Sequence, residues 1–152
     1  EPTFADIGEA AQFIVGPSQW EPQVKYSEAG AKTLNIPYYG TSVETFTTAY
    51  KAKFGAAPSY HSAGGYAAGL VLQRALEEAG GTDPAKVKDA LNKMDLMTFF
   101  GHIKFSNEAK THGKQTAHDM VYVQWLKGSD GKLATQIVWP EEAKSASAQL
   151  RK

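Results

Sequence analysis

The feature that most constrains this chain is one long helix whose exposed stripe changes character along its length. Residues 55 to 69 read GAAPSYHSAGGYAAG, so Pro58, Tyr60 and His61 precede eight residues of which seven are small. The pattern predicts a helix from about Ser62 to Ala79, stopped by Gly80-Gly81. Gln73, Arg74, Glu77 and Glu78 form one polar stripe at its C-terminal end. Carried backwards at about 100° per residue, that stripe meets Leu70, Ala67, Tyr66 and Ala63. The helix is therefore expected to dip its first half into protein on all sides and to leave only its second half in water.

The flanking elements carry ordinary signals. Val43, Phe46, Tyr50 and Phe54 recur at helical spacing, with Ser42 as N-cap, Glu44 in the first turn, and Gly55 and Pro58 as the stop. Asp83-Pro84 opens a further helix whose apolar stripe is Val87, Ala90, Leu91 and Met94. A short helix is expected around Glu28 to Leu34. Gln12 to Val15 reads as a buried strand ended by Gly16-Pro17, and Phe99 to Phe105 as a strand entered through Gly101. Asp119 to Leu126 and Leu133 to Trp139 flank Gly128-Ser129-Asp130-Gly131, which predicts an antiparallel hairpin. Pro140 ends it, and residues 141–152 are expected to be helical or frayed. The order argues α/β or α+β. Its apolar helix faces exceed the sheet that these strands supply, so partner strands are expected upstream of Glu1.

Composition removes several function classes. At 152 residues the chain is long enough for one domain with its own core. Sixteen basic residues balance sixteen acidic ones, so nucleic acid is not an expected partner and an anionic membrane surface is not favoured. Cysteine is absent, which removes disulfides, thiol catalysis and thiolate metal sites. The sequence begins Glu-Pro without an initiator methionine and reads as a processed or truncated piece. His61, His102, His112 and His118 show no metal-ligand spacing, so no metal or other cofactor is expected. His102 reads as a partly exposed sheet residue, and His112 and His118 as solvated loop residues. No nucleophile elbow or phosphate loop is present, and no enzyme activity is expected. Trp20, in a loop just past the first strand, reads either as a lid on the core or as a wall of a ligand cleft.

Taken in order, these segments resemble the branched-chain amino-acid type substrate-binding proteins of ABC transporters. AQFIVG followed by Trp20-Glu21-Pro22, FTTAYKAKFGAAPSYHSAGGYAAGLVLQRALEEAGG, DPAKVKDALNKMD, TFFGHIKF and MVYVQWLKGSDGKLATQIVWP are similar, collinearly, to the C-terminal portion of that family from about Asp6 to Pro140. The resemblance implies a two-lobed periplasmic venus-flytrap fold, α/β in class, with a small ligand clamped between lobes joined by crossover strands. It implies one crossover near 12–20, lobe-completing helices over about 42–94, a second crossover and hairpin over about 99–140, and a tail at 141–152. Missing N-terminal strands follow from it too, and the piece alone is expected to associate with copies of itself or with the missing portion. The implied ligand is an amino acid or an organic carboxylate, aromatic ones included, delivered to an ABC permease from the periplasm. The same fold without transport, as a ligand sensor, is the alternative. Tyr60 and His61 match the family's cleft-facing position before the long helix, and Trp20 matches a crossover region. A helix N-terminus with unpaired N–H groups is a favourable neighbour for a carboxylate.

Overall fold

Capping residues set the helix boundaries. The computed structural model describes residues 2–128 and 130–151, so Ser129 of the expected turn, Glu1 and Lys152 lie outside the described residues. Helix α1 spans Glu28–Thr33, where the Ser27 hydroxyl accepts from the Gly30 N–H. In α2, Val43–Phe54, the Ser42 hydroxyl accepts from the Thr45 N–H, and Gly55 closes the helix in the left-handed conformation. Helix α3 is Tyr60–Ala79, capped by Ser59 and Gly80. Helix α4 is Pro84–Lys93, with the Asp83 carboxylate accepting from the Lys86 N–H at 3.0 Å. The α3 boundary departs from expectation. The helix starts at Tyr60 behind the Ser59 cap and not at about Ser62, so Tyr60 and His61 belong to the first helical turn rather than to a preceding loop.

The chain forms two units, one of Tyr26–Asp119 and one of the residues up to Lys25 together with those from Met120. The Tyr26–Asp119 unit holds the four α-helices of the described residues and a hairpin of β2, Asp95–Thr98, and β3, Gly101–Lys104, whereas the other unit begins with a 3-10 helix over Pro2–Ala11. Residues 37–39 run parallel beside β2, through the Tyr39 N–H to Met97 carbonyl and Met97 N–H to Pro37 carbonyl bonds. Phe99 to Phe105 therefore is not one continuous strand. Phe99 and Phe100 form a tight turn, where the Thr98 hydroxyl accepts from the Phe100 N–H and donates to the Gly101 carbonyl. Gly101 sits at φ 134°, and a Cβ there would overlap the His118 ring, so only glycine lets the chain reverse here. His118 is accordingly no solvated loop residue: its ring centroid lies 5.1 Å from that of Phe100 and 6.5 Å from that of Tyr26. Buried Ala75, Ala90, Met94, Leu96 and Ile103 make a core cluster joining α3, α4 and the hairpin. At the other end, Gly40 turns the chain into α2 at φ 89°, where a Cβ would strike Leu70.

The second unit is built on an antiparallel sheet ordered β1-β4-β5, with β4, Val121–Lys127, between β1, Val15–Ser18, and β5, Leu133–Trp139. The expected β4–β5 hairpin is present, with a bulge at Tyr122/Val123. Strand β1 lies later than expected. Gln12 and Phe13 form a turn, Phe13 at φ 73°, and Gly16-Pro17 are inside the strand rather than ending it. Pro17 pairs with Tyr122 at a sheet edge, the one place where a strand tolerates a residue without an N–H. The segment after Pro140 is irregular rather than helical, because its polar groups are used elsewhere. The buried Gln124 amide donates to the Phe13 and Gln149 carbonyls and accepts from the Gln149 N–H. Ser145 and Ala146 donate to the Ile137 carbonyl along the outer edge of β5. The sheet edge that would otherwise be open is thus covered.

Candidate functional site

The first turn of α3 has the composition of a recognition surface. Its small residues let the helix lie close to the Phe99–Phe100 turn, with Ala63 and Ala67 buried and a notional Cβ on Gly64 reaching only ordinary contact with the Phe100 ring. That burial is one-sided. Gly65, Tyr66, Ala68 and Gly69 are exposed, so the first half of α3 is not enclosed on all sides as the wheel geometry predicted. The projection identified an apolar surface, but among the described residues its partners are confined to Phe99 and Phe100 on one side and to α2 through Phe46 and Tyr50 on another.

Tyr60 and His61 occupy the first two helical positions, and their rings stack at 4.0 Å between centroids. Tyr60 is 41% exposed and His61 is exposed as well. Ser59 takes the Ser62 N–H, which leaves the Tyr60 and His61 N–H groups directed out of the helix end. The first turn contains no acidic side chain, so the partial positive charge of this 20-residue helix is not offset there by a carboxylate. The arrangement offers a flat aromatic pair, imidazole nitrogens and helix-end donors to an anionic group.

Trp20 is not brought into this constellation. It belongs to the other unit and is 1% exposed, among the most deeply buried large side chains of the described residues. Of its two readings, the burial favours the lid on a core.

Two groupings escaped the sequence reading. Asp95, at the start of β2, accepts from His102 Nε2 at 2.6 Å and from Lys104 Nζ at 2.5 Å. Partial burial works to raise the Asp95 pKa, but the bonds from Lys104 and His102 outweigh it and hold the carboxyl below its usual value. His102 and Lys104 alternate onto one face of β3, but only the hairpin register brings Asp95 opposite Lys104 and diagonal to His102. The second grouping is a groove of about 390 Å³ between α2 and α3, walled by Phe46, Tyr50, Phe54 and Tyr66. Its signal in the sequence is the four-residue spacing of Phe46, Tyr50 and Phe54. Among the described residues, no three metal-ligating side chains gather in one place, and no helix is long and apolar enough to cross a membrane.

With these features in view, residues 1–132 match the family described as periplasmic binding protein. The chain belongs to the periplasmic binding protein family. It is similar to Leu/Ile/Val-binding protein homolog 7 of Brucella melitensis, 32% identical over 109 residues that cover 71% of this chain and 26% of that protein. It is also similar to Leu/Ile/Val-binding protein homolog 8 of Brucella abortus, 31% identical over 132 residues that cover 84% of this chain and 30% of that protein. Among solved structures, a leucine-binding protein, LivK, of Thermotoga maritima superposes with a TM-score of 0.55 at 23% identity, covering 93% of this chain and 35% of that one. An ABC transporter substrate-binding protein from Sphaerobacter thermophilus gives a TM-score of 0.59 at 19% identity, covering 90% and 33%. At these identities the two structures bear on fold alone, and they bear out the α/β periplasmic-binding-protein reading. The chain spans about a quarter to a third of the length of the curated relatives it matches.

Proposed function

We propose that this chain is part of an extracytoplasmic solute-binding protein that captures an amino acid or organic carboxylate and hands it to an ABC permease. In this reading the two units contribute to two lobes, and the chain crosses between them near Lys25 and near Asp119. Capture is by closure of lobes around the ligand, without bond-making or bond-breaking. The observation that carries the reading is the uncovered first turn of α3, with Tyr60 and His61 stacked beside free helix-end N–H groups. A ligand carboxylate would accept from these N–H groups and from the imidazole, while the rings cover its apolar part. The relatives named for leucine, isoleucine and valine make branched-chain amino acids the first ligands to try. Trp20 is proposed to affect the ligand only through the packing it completes.

Calorimetric titration of the native protein against amino acids and organic carboxylates tests this. His61→Ala is expected to weaken the best ligand by about tenfold or more, the scale of a lost hydrogen bond to a charged group. Tyr60→Ala should act in the same direction, with circular dichroism confirming that each variant keeps its helix content. Affinity unchanged in both variants would reduce the pair to helix-capping residues and remove the site.

A further inference from the structure

We propose that the groove between α2 and α3 is a separate binding site for a small aromatic carboxylate. Its volume, about 390 Å³, falls in the range of small-molecule sites, roughly 300–1,000 Å³. Two rows of α2 shape it. Phe46, Tyr50 and Phe54 stand one turn apart on one side, and Thr45, Ala49 and Lys53 one turn apart on the other. Tyr66 of α3 closes it, its ring centroid 5.1 Å from that of Phe46. Phe54 is 59% exposed and Tyr66 48% exposed, so large aromatic faces stand open to solvent at both ends of the groove. Ala49, exposed and small, leaves the room between them.

The polar atoms select the occupant. Among the described lining residues Lys53 is the one charged side chain, and its ammonium lies 5.4 Å from the Phe54 ring centroid. An anion carried on an aromatic ring would meet that ammonium while its ring stacks on Phe54 and Tyr66. Tyr50 and Ser62 hydroxyls lie 2.9 Å apart and either can be the donor, so the pair can turn a hydrogen toward a carboxylate without losing its mutual bond. An uncharged aromatic or a purely aliphatic occupant would use only part of this lining, whereas an arylcarboxylate uses both its rings and its polar groups. Tyr60 and His61 do not line the groove, so this inference and the proposed function stand on different side chains.

The test uses the native protein, with phenylacetate and benzoate as probes and phenylacetamide as the uncharged control, followed by calorimetry and amide chemical-shift mapping. Saturable binding is expected, with shifts centred on α2 and on Ser62 to Tyr66. Ala49→Phe, at an exposed helical position that leaves the fold intact, fills the groove and should weaken the probes by about tenfold or more. Lys53→Gln should weaken the acids about threefold and leave phenylacetamide unchanged. Lys93→Gln, on α4 and outside the groove lining, should leave all three unchanged. Absence of saturable binding, or Ala49→Phe binding like the parent protein, overturns the proposal. So do amide shifts centred on Ser59 to His61 in place of α2, which would merge the groove with the α3 terminus. A dimer that Ala49→Phe dissociates while no probe binds would assign the groove to a second copy instead, and would equally overturn it.

Discussion

Along α3, one helix meets water in two ways. Toward its C-terminal end every polar group of the exposed stripe has a partner: Arg74 pairs with Glu78 at 2.8 Å, and Glu77 accepts from Gln73 and from the Tyr39 hydroxyl. Beneath that stripe, Ala75 is sealed against Met94, Leu96 and Ile103. Toward the N-terminal end the underside is equally sealed, over Phe99 and Phe100, but the upper surface is apolar, small and uncovered. Tyr66 is 48% exposed there, although its ring also meets those of Phe46 and Phe99. The comparison separates two uses of a helix. One half is committed to holding α4 and the β2–β3 hairpin, and the other keeps surface available for a ligand or a covering segment.

The sharpest way to break that comparison is to delete equal apolar bulk from each environment. Leu96→Ala removes a buried side chain from the cluster under the committed half and should cost about 2–5 kcal/mol of unfolding free energy. Leu72→Ala, at a position 51% exposed, should stay within about 0.5 kcal/mol. Urea unfolding monitored by circular dichroism reads both. A Leu72→Ala loss approaching that of Leu96→Ala would mean that the exposed apolar surface of α3 is already covered in solution.

The features legible in the sequence were those decided by neighbours a few residues apart. Ser42, Gly55, Gly80 and Asp83-Pro84 marked helix ends because caps and left-handed closures are local chemistry. The β4–β5 hairpin was legible for the same reason, from alternation on either side of a turn. What failed depended on partners far along the chain. Gly16-Pro17 looked like a stop, yet an edge position accommodates Pro17 inside β1. FFGHIKF looked like one strand because an apolar run does not show where it reverses; the reversal depends on a φ that only Gly101 supplies, against His118. The wheel over α3 told which surface is apolar but not which apolar surface finds a partner. At the candidate site, Tyr60 and His61 were legible as residues at a helix entrance, while their stacking and exposure were not. The groove needed the packing of α2 on α3, which no periodicity encodes.

A smaller effect tests the helix ends themselves. Asp83→Ala removes a charged cap with a 3.0 Å bond and should cost about 1 kcal/mol. The Ser59 hydroxyl sits 3.4 Å from the Ser62 N–H, a longer and uncharged contact. Ser59→Ala is therefore expected to cost about half as much in the same unfolding assay. Equal losses would show that the α3 terminus is held as firmly as that of α4. Its donors would then be less available to a ligand than the open geometry suggests.

The smallest expected effect probes the committed half. Hydrogen bonds from Gln73 and Tyr39, followed by the Arg74 charge, hold the Glu77 carboxyl below its usual pKa, against a weaker desolvation that works to raise it. A carboxyl depressed in the folded state contributes stability that is complete above its unfolded value of about 4.3 and is lost as pH falls through the folded value. The Tyr39 hydroxyl is shifted upward, first by desolvation and then by its bond to Glu77. Its contribution is complete below about pH 10 and is lost as pH rises through the folded value. Carboxyl-carbon NMR titration should therefore find Glu77 below the ordinary glutamate range, and Tyr39→Phe should move it upward. The same linkage requires Glu77→Gln to lower the Tyr39 pKa, read by its ring resonances in alkali. Glu77 titrating at the ordinary value, and unmoved by Tyr39→Phe, would mean that the polar stripe is not held in solution. The C-terminal half of α3 would then be distinguished from the other half by its buried underside alone.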